Sequence, residues 1–268
     1  MKSNYKKNNF GGVMVSIRFF QLVLLFCFSC QAFAIEVPSL VYRTDTRPPD
    51  EIFQNGFESW GDEIEVLRHV LGTSIVEKKT GLIATTSEMS VAWDIASKYL
   101  IDENNEQDHI WIYLITPGIN FYNVNSSLLN AYMHGTGDLV PSQALFTYAT
   151  FSHEHEFAAE SLIVNTQIKG AARIKVRTRP DGEEEIYVEK KELNGAYNPT
   201  TPEVSSEFLP AIEMPADFDV YYEGDLRLYP ITAALGVSGY IGRGTKYKKT
   251  KFSTLANVIK EKGLVSFD

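Results

Sequence analysis

Residues His109–Ile115 read HIWIYLI, an apolar run broken by no charge after its first residue. A run of that length, rich in β-branched and aromatic residues, is a fully buried strand rather than a helix. Such a strand must be covered on both faces, so the flanking chain has to supply layers for it. Ser39–Thr44 (SLVYRT) alternates as a short strand. Arg47-Pro48-Pro49-Asp50 ends it, because proline fixes φ and removes a donor. Asp50 can cap a short helix over Glu51–Gln54, and Asn55-Gly56 marks its end. Glu58–Thr80 carries many charges and several glycines; it reads as a mobile loop with a helical piece around Glu65–Val70. Gly81–Thr85 (GLIAT) reads as a strand. Met89, Val91, Ala92, Ile95, Ala96 and Tyr99 fall at helical spacing within Ser87–Tyr99. Phe121–Val124 opens the next segment, Ser126–Tyr132 reads as a helix, and short mixed elements continue to about Glu192. Asn198–Pro215 holds four prolines and reads as an extended connector. Short strands mixed with short helices give an α+β chain.

The first 34 residues differ from the rest. Lys2, Lys6, Lys7 and Arg18 precede the apolar run Phe19–Phe28, no acid occurs before Glu36, and Ala32-Phe33-Ala34 fits a signal-peptidase site. Residues 1–34 are therefore expected to be a signal peptide, and the protein to be secreted, first to the periplasm and then outside the cell. The peptide takes four of the 25 basic residues and none of the 34 acidic ones, leaving 21 against 34 and a net charge of −13. That balance argues against nucleic acid as a partner, since phosphates call for a basic surface. Cys27 and Cys30 are the chain's two cysteines and both lie in the leader. The mature protein is then expected to have no disulfide, no thiol nucleophile and no cysteine metal site. Residues 35–195 read as the main domain and 196–268 as a C-terminal extension.

Three separated polar features stand out. Arg43 sits at a strand edge before the Pro-Pro turn; it reads as a surface ion pair or as a bidentate fork for a phosphate or a neighbouring strand. Ala84-Thr85-Thr86-Ser87 lies where an apolar strand meets a helix, and its hydroxyls can be helix caps or ligands. Glu154-His155-Glu156 follows a hydroxyl-rich aromatic stretch. On extended backbone two acids at i and i+2 point to one side and reach one ligand, one as base and one to hold a charged intermediate; a solvated acidic loop is the plainer alternative. His153 and His155 lack metal-site spacing, and no metal is expected.

The joint order of these features carries a resemblance. Val41–Gly56, VYRTDTRPPDEIFQNG, resembles the opening of the pertussis toxin catalytic subunit, and its RPPDEI also resembles the cholera and heat-labile enterotoxin A chains. Asn120–Asn125 (NFYNVN) is similar to the enterotoxins. The likeness runs from about Val41 to Val164. It implies an α+β ADP-ribosyltransferase split β-sandwich with flanking helices and a C-terminal extension, and NAD as substrate in a central cleft. It implies that Arg43 braces the cleft and contacts the NAD phosphates, and that Glu156 is the catalytic glutamate. It implies that Glu154 helps activate an arginine acceptor and that His69 positions donor or acceptor. Thr85, Thr86, Ser87 and Trp60 are implied near NAD. A host protein as target, a G-protein α subunit for choice, and a pentameric B subunit follow from the same resemblance, with residues 196–268 as the region that docks that subunit or covers the cleft. So does action inside a host cell.

Two departures qualify it. Ala84 stands where the family's first serine hydrogen-bonds the catalytic glutamate; either Thr86 or Ser87 substitutes through a one-residue shift of the strand, or the expected rate is lower. The family's disulfides are not possible in the mature chain, so latency has to be steric. A catalytically weak or inactive homologue, kept as a binding component of a toxin assembly, is the alternative that Ala84 supports.

Overall fold

The computed structural model describes residues 37–101, 108–215, 218–223 and 247–251. The expected leader (1–34), the apolar run 231–241 and most of the lysine-rich stretch 246–262 lie outside the described residues. No helix among the described residues is long and apolar enough to cross a membrane.

The elements in chain order begin with β1 (Val41–Asp45), α1 (Pro49–Asn55) and β2 (Phe57–Glu58). Next come α2 (Val66–Val70), α3 (Thr73–Val76), β3 (Leu82–Thr86), α4 (Met89–Ile101) and β4 (His109–Ile115). They are followed by β5 (Phe121–Asn123), α5 (Val124–His134), α6 (Val140–Phe151), a 3-10 turn (Ser152–Glu154), β6 (Glu156–Glu160) and β7 (Leu162–Ile163). A second 3-10 turn (Asn165–Gln167) leads to β8 (Ile168–Thr178) and β9 (Glu184–Leu193); β10 (Asp219–Glu223) and β11 (Tyr247–Lys251) pair with each other. The main sheet is antiparallel, in the order β5-β6-β3-β1-β4-β8-β9. The apolar run HIWIYLI is β4, as its composition requires. It pairs with β1 along all five of that strand's residues and with β8 on its other side.

The sheet is divided at its middle. β1 pairs with β3 at one position only, Tyr42 with Thr86, whereas β3 pairs with β6 at five. The strands β5-β6-β3 and β1-β4-β8-β9 thus meet at a single point and diverge, which opens a cleft within the sheet. Three apolar clusters hold the two halves. One packs Val66, Leu67 and Val70 with Leu128, Ala144, Phe146 and Leu82. A second joins Ile52, Phe57, Tyr113, Phe121, Phe157 and Ile163. The third sets α4, through Ala92, Ala96 and Leu100, on Ile110, Ile112 and Ile174.

Local expectations change in four places. α1 starts at Pro49 with Pro48 as its N-cap residue, and Asp50 lies inside its first turn instead of capping it; proline suits that first turn because its missing N–H is not needed there. The Glu58–Thr80 stretch is tied down rather than loose. Gly61 N donates to Thr80 O, Glu63 N to Lys79 O and Gly81 N to Glu63 O, at 2.9, 2.9 and 2.7 Å. Gly61 and Gly81 permit that clasp, since a Cβ on the first would lie 2.4 Å from Lys79 O and one on the second 2.8 Å from the Asp62 carbonyl carbon. The aromatic stretch before the paired glutamates is helix α6, where apolar periodicity is blurred by hydroxyls that bond to carbonyls one turn back, as Thr147 Oγ1 does to Gln143 O. Residues 199–215 are extended, as four prolines require, but they lie on the body: Leu209 and Met214 are buried in the first cluster.

Phe57 carries the join between the second cluster and the cleft. It is fully buried and meets Tyr113 edge-on with centroids 5.2 Å apart. Phe57→Ala is expected to cost about 3–5 kcal/mol, read as a lowered denaturant midpoint; a loss below about 1 kcal/mol would contradict this packing.

Candidate active site

A cleft at the split has Arg43, Arg47, Trp60, His69, Thr80 and Ala84 among its lining residues. β1 supplies its cationic wall. Arg43 Nη1 donates to Ala84 O at 2.7 Å, across the gap where β1 and β3 have parted. The arginine therefore replaces the ladder hydrogen bonds that the divergence removes. Asp45, fully buried, holds it from one side with Arg43 Nε at 3.6 Å. The same carboxylate takes a fork from Arg47, Nε to Oδ1 at 2.9 Å and Nη2 to Oδ2 at 2.7 Å. Both guanidinium groups lie over the Phe57 ring, 5.1 and 5.3 Å from its centroid, a favourable placement for a cation on an aromatic face. Burial brings the Arg43 pKa down to about 10, against the raising effect of Asp45; it stays cationic at neutral pH. Burial acts the same way on Arg47, but its hydrogen bonds and attraction to Asp45 outweigh that and raise it.

Opposite this wall stands a histidine–carboxylate pair. His69 is 1% exposed, and its Nε2 lies 3.1 Å from Glu156 Oε1; Glu156, the first residue of β6, is 5% exposed. His69 Nδ1 lies 2.9 Å from Thr80 Oγ1. A carboxylate can only accept, so Nε2 carries the proton that faces Glu156. In the neutral ring Nδ1 then accepts, and the donor is the Thr80 hydroxyl, whose oxygen in turn accepts from Leu82 N at 3.1 Å. Glu156 thereby sets the tautomer, and the Thr80 hydroxyl satisfies the other ring nitrogen. Of the residues expected from the sequence, Arg43, His69 and Trp60 share this cleft, and Glu156 adjoins it through His69.

Of the two readings of the hydroxyl cluster, cap or ligand, the bonds present are a cap and ties to the neighbouring strand. Thr85 shares a face with Phe157 and donates to Phe157 O at 2.5 Å. Thr86 donates to Glu154 O at 2.6 Å and accepts from Glu88 N at 3.1 Å, which is a cap ahead of α4. Ser87 Oγ reaches His155 O at 3.4 Å. Together these groups fasten the backbone of 154–157 to β3. Thr86 and Ser87 bond to backbone carbonyls and not to the Glu156 side chain, which His69 Nε2 meets.

The paired glutamates do not lie on one side of an extended segment. Glu154 ends a 3-10 turn, His155 is left-handed with φ 49°, and only Glu156 is in a strand. The Glu154 carboxyl is 1% exposed, and neither oxygen has a hydrogen-bond partner. Burial first, and the neighbouring Glu156 charge second, raise its pKa well above the usual carboxylate range. Among the described residues no group of three or more histidine, cysteine or acidic side chains could hold a metal ion. Arg47, Asp45, Phe57 and Thr80 were not singled out from the sequence. The alternation of charges in Arg43-Thr44-Asp45-Thr46-Arg47 was a usable signal for the first two; nothing local marks Thr80.

The chain is similar to known proteins in sequence and in fold. The family described as pertussis toxin, subunit 1, matches residues 36–178. The pertussis toxin subunit 1 homolog of Bordetella parapertussis is 29% identical over 153 residues, 53% of this chain and 56% of that protein. Pertussis toxin subunit 1 of Bordetella pertussis is 28% identical over a stretch of the same length and coverage. The chain spans a little over half the length of these curated relatives. The solved structure of EcPltA matches 66% of this chain and 98% of its own, with a TM-score of 0.56 at 23% identity. The fold is the mixed helix-and-sheet fold of ADP-ribosyltransferase toxins. The chain belongs to the pertussis toxin subunit 1 family.

The raised Glu154 pKa has a signed consequence for stability. The unfolded chain releases this proton near the ordinary value of 4.5, while the folded chain keeps it to higher pH. Folding stability therefore falls as pH rises from about 4.5 through the folded value. Glu154→Gln is expected to flatten that fall, as measured by denaturant midpoints between about pH 5 and 8. Parallel curves for the two proteins would remove the assignment.

Proposed function

We propose that this chain is the enzymatic A subunit of a secreted toxin and transfers ADP-ribose from NAD to a host protein. The observation that carries this reading is the buried His69–Glu156 pair facing two fixed arginines across one cleft. NAD joins a dianionic pyrophosphate to a cationic nicotinamide, and the site offers matching charges. Arg43 and Arg47 hold the phosphates. Glu156 accepts from the 2′-hydroxyl of the nicotinamide ribose and stabilises positive charge on that sugar as the C–N bond to nicotinamide breaks. His69, bonded to Glu156 on one side and to Thr80 on the other, keeps the carboxylate turned to its task. Trp60, at 36% exposure, lies in the cleft where a flat ring can stack on it.

Arginine is the proposed acceptor, with a G-protein α subunit as the preferred target. A guanidinium is cationic at neutral pH and a poor nucleophile, so a second carboxylate has a use in deprotonating it. Glu154 is that carboxylate by sequence order, and it acts once the turn at 152–155 brings it out of its buried position. Hydrolysis of NAD does not need it. Residues 1–34 as a cleaved signal peptide, 35–195 as the catalytic domain and 196–268 as the region that meets a pentameric B subunit complete the reading. A second reading, a weak homologue kept as a binding component, is favoured by Ala84, since loss of one orienting hydrogen bond costs about 1 kcal/mol.

Mature protein incubated with labelled NAD and cell lysate is expected to label a host protein and release nicotinamide. Glu156→Ala should reduce both by a factor of 100 or more, roughly the cost of losing a transition-state electrostatic contact. No label, and no nicotinamide release above that variant, would leave only the binding-component reading. Glu154→Gln should abolish protein labelling and spare NAD hydrolysis. Arginine linkages are cleaved by neutral hydroxylamine, and a mercury-sensitive linkage would instead mark cysteine as the acceptor.

A further inference from the structure

The extended segment after β9 is bonded to the helix that carries His69. Residues 198–214 run along the body and give it backbone hydrogen bonds at several points: Asn198 N to Thr166 O, Ser205 N to Phe121 O and Leu209 N to Ser127 Oγ. Two further bonds fall on the start of α2. Val66 N donates to Pro210 O at 2.9 Å, and Ile212 N donates to Glu65 Oε1 at 2.9 Å. Glu65 is 3% exposed. Its carboxylate also caps α2, accepting from Leu67 N at 3.1 Å and Arg68 N at 2.5 Å. Three backbone donors thus converge on one buried side chain, two from the helix and one from a segment about 147 residues away in sequence.

The cap matters because α2 is five residues long. A helix that short closes too few hydrogen bonds to hold its own direction, so its ends and its packing decide where it points. One turn after Glu65, His69 N donates to Glu65 O at 3.0 Å, and the His69 ring extends to Glu156. Any rotation of α2 about its cap carries the imidazole away from the carboxylate. We infer that Glu65 is a positioning residue for the reaction: it couples the 209–214 segment to His69 and so fixes the His69–Glu156 contact. Glu65 is not among the residues that line the cleft and has no direct part in binding NAD. The inference rests on the roles proposed above for His69 and Glu156. It also gives the extended segment a duty inside the enzyme, separate from any docking duty farther along the chain.

The test uses the full mature chain and three variants. Ile212→Pro removes the single donor that the segment gives to Glu65, at an exposed position and without touching the carboxylate. Glu65→Ala removes the cap, and Glu65→Gln keeps one acceptor oxygen. NAD hydrolysis is measured for kcat and KM, and the His69 ring is followed by its nitrogen resonances through a pH titration. Ile212→Pro and Glu65→Ala are expected to lower kcat about tenfold or more, with KM changed less than about twofold. The His69 titration should shift in both, and Glu65→Gln should recover part of each effect. A folded Ile212→Pro protein with wild-type kcat and an unmoved His69 resonance overturns the inference, whatever Glu65→Ala does to folding. So does a fall in kcat for Glu65→Ala with the His69 resonance unmoved. If Glu156→Ala also leaves NAD hydrolysis unchanged, it is the proposed reaction that fails. The His69 resonance, which needs no activity, then decides this inference alone.

Discussion

A single side chain spans the gap on which the site depends. β1 and β3 share one register position and then separate, so each leaves unpaired backbone groups facing a cleft. Arg43 answers that vacancy by donating to Ala84 O. Its charge is tolerable in a buried place because Asp45 lies beside it and Phe57 presents a ring face. A buried carboxylate is in turn costly unless paired and hydrogen-bonded, and Arg47 completes that requirement with two side-chain bonds and one backbone bond. The same four residues that make the divided sheet stable, Arg43, Asp45, Arg47 and Phe57, thereby leave two cations at the cleft. Structure and binding charge come from one arrangement.

The opposite wall is built from short pieces that cannot stand alone. α2 has five residues and α3 four, and the strand ending in Thr86 is held to β6. Their positions come from contacts made by distant parts of the chain: the clasp of Gly61–Glu63 on Thr80 and Gly81, the Glu65 cap reached by Ile212, and the packing of Val66, Leu67 and Val70 under α5 and α6. His69 inherits its place from all of these. Glu156 sets its tautomer, and Thr80 partners its other nitrogen. The site is therefore rigid through tertiary contact rather than through local helical strength.

The turn before β6 shows the limit of pattern reading. Two glutamates at i and i+2 look like a matched pair on extended backbone. The left-handed His155 breaks that geometry, and Glu154 is drawn into an unpaired buried position while Glu156 takes the histidine. The hydroxyls of Thr85, Thr86 and Ser87 read as caps or ligands; they bind backbone carbonyls of residues 154, 155 and 157, and Thr86 also caps the start of α4. In each case a side chain's duty was set by a strand that sequence reading could name but not place alongside.

The strand HIWIYLI, the helix after Ser87, the break at the prolines and the mixed α+β class were legible in the sequence, because they rest on periodicity and on proline's fixed φ. Arg43, His69 and Glu156 were legible as a set through a long motif and its order. The clasp on the Glu58–Thr80 stretch, the His69 tautomer set by Glu156, the burial of Glu154 and the bond from Ile212 to Glu65 were decided only by tertiary structure. Each depends on a hydrogen bond or a desolvation between residues many positions apart, and no local pattern records which distant donor will arrive.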